Sequence, residues 1–556
     1  MTDRKTPVKY IFTTGGVVSS IGKGIVCASL GLLLESRGYK IAIMKMDPYI
    51  NVDPGTMNPF EHGEVFVTDD GTETDLDLGH YQRFTNAKLS HRSNTTTGAI
   101  YNTVIKKERD GAYLGKTVQV IPHITDEIKN RIRALTIDED DVDIAIIEIG
   151  GTVGDIEGLP FLEALRQFRL EVGPENCCFI HVTLVPYIEA ANELKTKPTQ
   201  HSVRALRDIG IQPNIIICRT GKSKLEKEQR QKVALFCDVP EKAIINAQDI
   251  SPVYAIPLNF KEQDLDVTVL DTLGLDRREG NLSEWITMVN RLTNATEEVR
   301  IAAIGKYTGH GDAYKSINEA FIHAGIANNC KVIYQWIDSE RFEPGKEKPE
   351  EVLNGYHGIL IGPGFGTRGI EGKINVAQYA RENKIPYFGI CLGMQVAVIE
   401  IARNCLGLKE AHTTEVNTQT PHPVISLLTE QKGISSKGGT MRLGAYPCEL
   451  QPNTHAFQAY KQPLIYERHR HRYEFNNAYR EMFLSKADLI ISGIHHRKLM
   501  DIEEELVEII ELSPKKHPWF CACQFHPEFK STPLKPQPLF CDFIKSALEY
   551  KKRNGK

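Results

Sequence analysis

Unbroken apolar runs rich in β-branched residues constrain the fold of this chain more than any other feature. Ile41–Met46, Val142–Ile149, Cys178–Val185 and Asn214–Cys218 lack the polar alternation of a strand with one wet face. Strands of this kind belong in a parallel sheet buried on both faces. The series opens with Lys9–Thr14, a glycine-bearing loop and a helical run over Ile25–Arg37 closed by Gly38. It stops at 281–298, a polar stretch without strand pattern that reads as a linker, and restarts at Val299–Gly305. Lys331–Ile337, Gly358–Ile361 and Tyr387–Cys391 continue it. At 556 residues the chain exceeds what one core sustains. The expected fold class is α/β, two tandem domains each with a mostly parallel sheet flanked by helices. The expected boundaries are 1–280, a linker at 281–298, 299–545 and a C-terminal tail at 546–556, whose basic end, 551–556, reads as frayed. Residues 408–440, rich in Thr, Pro, Ser and Gly, read as a surface excursion.

Composition narrows the class. Charged residues make up 25% of the chain and the net charge is −4, which argues against nucleic acid as a partner. No apolar run reaches the length of a membrane span and the start lacks a secretory pattern, so no membrane partner is expected. The twelve cysteines contain no CxxC pair and read as reduced thiols of a cytoplasmic protein.

Cys391 is the exception. Gly389-Ile-Cys391-Leu392-Gly393-Met394-Gln395 reads as strand, sharp turn and helix, with glycines two before and two after the cysteine. This G-x-C-x-G pattern is the cysteine form of a nucleophile elbow. It is expected to leave the sulfur exposed at a helix N-terminus, whose field favours thiolate, with the Leu392 amide toward a developing oxyanion. Far along the chain, Gln524-Phe-His526-Pro-Glu528 places a base and an orienting carboxylate two residues apart on one strand face. Together these strings resemble the class I glutamine amidotransferases. The resemblance implies a Cys391–His526–Glu528 triad that hydrolyses glutamine through a thioester, with Gly364, Leu392, Gly393, Met394, Gln395, Glu415 and Arg472 binding glutamine. It also implies a second oxyanion donor in Gly362-Pro363-Gly364. Proline has no N–H, so the donor is Gly362 or Gly364.

The first half carries an anion cradle. Gly15-Gly16-Val-Val-Ser19-Ser20-Ile21-Gly22-Lys23-Gly24 joins a strand to a helix, with backbone amides and Lys23 suited to phosphates. It is a degenerate P-loop: the first glycine is one position off, and Gly24 stands where a Mg²⁺-binding hydroxyl belongs. Asp75, Asp77 and the strand-end Glu148 supply carboxylates instead. Lys195-Thr196-Lys197-Pro198-Thr199-Gln200 is dense enough in donors for a second polyanion.

Taken in order, these strings and Lys45–Thr56, His62–Val67, Asp75–Tyr81, Gly150–Glu157 and Glu467–Tyr473 resemble the CTP synthase family over nearly the whole chain. The resemblance implies a P-loop-like synthetase that aminates UTP with ammonia from the glutaminase. Ser20, Ile21, Gly22, Lys23, Gly24, Ile25, Lys45, Asp77, Gln248, Asp249 and Ile250 would bind ATP, and Asp77 and Glu148 would bind Mg²⁺. Ser19, Lys195–Gln200 and Lys232 would bind UTP, while Asp155, Ile156 and Glu157 would serve CTP inhibition. GTP activation, a 4-phosphorylated intermediate, ammonia tunnelling and a homotetramer are implied as well. A corrinoid amidase would share the elbow without needing the 195–200 cluster. A partitioning ATPase would have no use for the glutaminase, and a non-catalytic relative would have lost groups that are all present here.

Overall fold

The computed structural model describes residues 7–137, 142–309, 311–427, 441–499 and 502–554, with Thr56, Pro59, Phe60, Leu499 and Ile502 described by backbone alone. It divides into two compact units, Met1–Pro54 with Thr74–Val289, and Gly55–Glu73 with Asn290–Lys556.

The first unit holds a seven-stranded sheet. From edge to edge it runs Ile244–Ala247, Ile215–Arg219, Cys177–Leu184, Lys9–Gly15, Ile144–Ile149, Ile41–Asp47 and Asn94–Thr96. All neighbours are parallel. The expected strands are present with ends moved by one or two residues, and the first helix spans Lys23–Ser36. Ile146, Ile180 and Ile216 are fully buried, which explains why these runs show no polar face.

The second unit holds a nine-stranded mixed sheet. Cys330–Asp338, Glu297–Gly305, Gly358–Ile361, Tyr387–Ile390 and Phe520–Cys523 are parallel neighbours. Ile502–Leu512, Leu489–Leu499, Arg442–Leu450 and Leu464–His471 extend it in antiparallel order. Aliphatic cores cover both faces of the parallel half.

Three expectations change. The 281–298 stretch contains a helix, Ser283–Asn294, that buries Trp285, Met288 and Val289. Their spacing of three and then one is an apolar stripe that the surrounding polar residues conceal. The C-terminal residues are helical rather than frayed: Pro538–Asn554 is one helix, with Ala547 and Leu548 buried. Within 408–440 two strands form, Ala411–Thr413 and His422–Leu427, while 428–440 lie outside the described residues. Among the described residues, no helix is long and apolar enough to cross a membrane, and all twelve cysteines are free thiols.

Candidate active site

In the second unit, the Tyr387–Ile390 strand turns at Cys391 into the Leu392–Asn404 helix. Cys391 itself adopts φ 53° and ψ −101°, a strained geometry for a residue with a side chain. Glycines make this turn possible. A Cβ on Gly389 would lie 2.7 Å from the Gly393 carbonyl, and one on Gly393 would lie 2.2 Å from the Ile361 oxygen. The sulfur is not exposed as expected: Cys391 is 3% accessible. It faces a cavity of about 200 Å³ lined also by Gly364, Phe365, Arg470, His526 and Glu528.

The sheet brings the distant C-terminal residues to this turn. Phe520–Cys523 lies beside the Tyr387–Ile390 strand, and the Cys391 amide donates to Cys523 O at 2.8 Å. His526 Nδ1 is 2.8 Å from Glu528 Oε1. An ionised carboxylate only accepts, so Nδ1 carries the proton and Nε2 is the free face of the ring. Nε2 is buried and makes no hydrogen bond. Burial disfavours the imidazolium, yet Glu528 and Cys391 outweigh it and raise His526 to about 10. Gln524, which sequence reasoning did not assign, places Nε2 3.6 Å from the Cys391 sulfur.

The loop after Gly358–Ile361 completes the site. The Gly362 amide donates to Ile304 O at 3.0 Å, and among the described residues the Gly364 amide makes no backbone hydrogen bond, which favours it of the two candidate oxyanion donors. Gly366 N–H donates to Glu415 Oε1 at 2.8 Å. Gln395 Nε2 bridges Tyr473 O (3.2 Å) and Gln524 Oε1 (3.3 Å). Burial raises the Tyr473 hydroxyl above its ordinary range, with Glu415 adding to the rise and Arg472 opposing it. Leu392 and Met394 side chains sit in the core, so only their backbones can serve the site.

Residues 55–73 also belong to this unit. Arg468 binds Asp69 at 2.6 Å and Val67 O at 3.0 Å, and Arg470 binds Glu73 at 2.8 Å and Gly55 O at 3.1 Å. Glu64 accepts from the Ser316 amide (2.9 Å) and hydroxyl (2.6 Å). Gly55, Met57, Glu64 and Val65 line the Cys391 cavity.

In the first unit, the candidate ligands gather beyond the carboxyl ends of parallel strands, where open α/β sheets bind. Gly22 caps the Lys23–Ser36 helix at φ 94°, a conformation that favours glycine. Lys23 Nζ donates to Gly151 O at 2.8 Å. Gly24, the apparent defect of the P-loop, has a physical reason: a Cβ there would lie 2.5 Å from Asp77 Oδ1. Lys45 is ion-paired with Asp75 at 2.7 Å and with Asp77, so Asp75 is a half-buried partner rather than a solvated acid. Glu148 is buried and bonded to the Tyr81 hydroxyl. Burial, with Asp77 adding to it, pushes the Glu148 carboxyl up to about 8.

Residues 9–275 match the family described as CTP synthase N-terminus, and residues 310–546 match glutamine amidotransferase class-I. Relatives named CTP synthase include that of Caldanaerobacter subterraneus subsp. tengcongensis, 57% identical over 98% of this chain and 99% of its own. That of Carboxydothermus hydrogenoformans is 58% identical with the same coverage. That of Bacillus velezensis is 56% identical over 97% of this chain and 99% of its own. The chain belongs to the CTP synthase family.

Within this CTP synthase-family enzyme, the remaining residues expected from sequence are placed as follows. Ile21, Gly22, Ile25, Gln248, Asp249 and Ile250 line one cavity of about 270 Å³. Arg219, unassigned from sequence, joins them, bonded to Ser20 O at 3.1 Å and Asp249 at 3.0 Å. In the 195–200 cluster, Lys195 pairs with Glu193, whose carboxyl Lys195 and then Lys232 hold low. Thr199 is buried and accepts from the Thr183 hydroxyl at 2.8 Å. Ser19, Asp155, Ile156 and Glu157 are exposed.

Proposed function

We propose that this enzyme converts UTP to CTP with ATP, using ammonia from L-glutamine hydrolysed at Cys391. The observation that carries the reading is the Cys391–His526–Glu528 arrangement in one unit, in a chain whose other unit holds a phosphate-type loop. Cys391 Sγ, its proton already held on His526 Nε2 with Glu528 favouring the imidazolium, attacks the glutamine amide carbon. The oxyanion is met by the amides of Leu392 and Gly364. The imidazolium then protonates the departing nitrogen, leaving a thioester that water hydrolyses to glutamate. Gln395, Glu415 and Arg472 orient the amino-acid head, with the Gly393 and Met394 backbones packed beside it.

In the synthetase unit, ATP phosphorylates the uracil 4-oxygen, and ammonia then displaces phosphate at C4. Lys23 and Lys45 meet the transferred charge, while Ser20–Ile25 and Gln248–Ile250 hold ATP. Ser19, Lys195–Gln200 and Lys232 hold UTP. Asp77 and Glu148 would hold Mg²⁺, which neutralises phosphate charge when bound. The Asp77 carboxylate seated over Gly24 and the buried Glu148 carboxyl, lifted to about 8, suit a cation there. Ammonia is passed on internally, because neutral water would capture it as ammonium. GTP activation, CTP inhibition through Asp155–Glu157 and a homotetramer belong to the same proposal. The free thiols support a cytoplasmic setting.

The test is CTP formation from UTP with glutamine or with ammonia. Cys391→Ala is expected to abolish the first and spare the second. Equal loss of both refutes the division of labour.

A further inference from the structure

The loop that presents Gly364 is fastened in an uneven way. Gly362 is clamped on both sides, its N–H by Ile304 O at 3.0 Å and its C=O by Lys373 Nζ at 2.7 Å. The next residue, Pro363, has φ fixed by its ring. Between the clamp and the Gly364 N–H only one soft dihedral remains, ψ of Pro363. Downstream, Lys306 Nζ holds Phe365 O at 3.1 Å and Gly366 O at 2.6 Å. The proline that cannot donate is thus a stiff spacer, and its direction is set by what holds Gly362.

Lys373 is an expensive way to hold a carbonyl. It is fully buried on the Ile370–Glu382 helix, and no ion pair to it is found among the described residues. Burial drives its amine well below the ordinary lysine range, and Lys306 adds to this, while Cys391 and Asp338 oppose it. A thioether would fill the same space without desolvating an amine. The helix carrying it packs closely on Ser339: a Cβ on Gly372 would lie 1.9 Å from Ser339 O, and one on Gly369 would lie 2.1 Å from Ser339 Oγ. Lys373 therefore transmits a fixed backbone reference to the loop beside the nucleophile.

We propose that Lys373 is a positioning residue of the glutaminase, aiming the Gly364 amide at the oxyanion through Gly362 and Pro363. The proposal rests on the glutaminase reading given above. In Lys373→Met the side-chain volume stays and the donor goes. Glutaminase kcat is expected to fall about 10²-fold, the range of a lost oxyanion donor, with KM for glutamine within about twofold. Ammonia-dependent CTP synthesis is expected to be unchanged.

Alkylation of Cys391 by iodoacetamide separates aim from collapse. There the sulfur displaces iodide from carbon and no oxyanion forms, so the rate is expected to match the parent enzyme. Lys373→Gln keeps one donor and is expected to recover part of kcat. It also serves as the comparison if the methionine variant does not fold. Unchanged kcat in either variant overturns the proposal, as does an alkylation rate that falls in step with kcat. Glutaminase activity persisting in Cys391→Ala would instead overturn the underlying reading, whatever Lys373 does.

Discussion

Two glycine-rich turns, each joining a parallel strand to a helix, use the missing side chain in different ways. In the synthetase unit, Gly24 leaves room for a charged group from elsewhere, the carboxylate of Asp77. In the glutaminase unit, Gly389 and Gly393 let backbone approach backbone, so that Cys391 can be held at φ 53°. The first use is electrostatic and its neighbour is a side chain that can swing. The second is steric and its neighbours are main chain that cannot. Equal substitutions should therefore be unequally tolerated.

Gly393→Ala is expected to have the larger effect. Its Cβ would press on the Ile361 carbonyl and displace the nucleophile, and a shift of about 1 Å costs on the order of 10² in rate. Glutamine-dependent CTP formation should fall at least that far, with the ammonia-dependent rate kept. Parallel assays with the two nitrogen donors check this, and loss of both rates would break the comparison. Gly24→Ala is expected to cost about tenfold in ammonia-dependent turnover and to raise the Mg²⁺ concentration for half-activity, because Asp77 can rotate away. An unchanged Mg²⁺ titration would remove the proposed role of that space.

The smallest effect concerns His526. Its folded pKa of about 10 stands above the ordinary 6.5. The stability it contributes is therefore fully present below about pH 6.5 and lost as pH rises through about 10. Glu528→Gln removes the largest upward influence. The denaturation midpoints of parent and variant should differ most near pH 6 and converge toward pH 10, by on the order of 1 kcal/mol. A difference independent of pH would deny the charged pair.

The glutaminase turn was readable from local spacing because its determinants are local: two glycines around Cys391, and a single residue between His526 and Glu528. Most of the parallel strands were readable for the same reason, being buried on both faces, whereas Cys330–Asp338 at the sheet edge alternates with exposed positions. Other features depend on partners far away in sequence. Gly24 reads as a damaged motif until Asp77, some fifty residues on, is seen above it. The choice between Gly362 and Gly364 turns on a carbonyl at Ile304. Lys306 and Lys373 carry no motif, since a lysine is ordinarily a solvated residue. Burial of the Cys391 sulfur likewise depends on residues that no elbow pattern contains. The helix at Ser283–Asn294 was within reach of sequence, but its stripe of Trp285, Met288 and Val289 is only two turns deep.

Residues 55–73 give the molecule a topology that the word tandem does not describe. The chain changes unit three times, after Pro54, after Glu73 and after Val289. A single cut near residue 290 would not release a whole glutaminase. The excised piece would lack its acceptors for Arg468 and Arg470, the carboxylate on Ser316 and four of the residues around the Cys391 cavity. The second unit is thus assembled from two separate stretches of chain, and the first unit is interrupted by one of them.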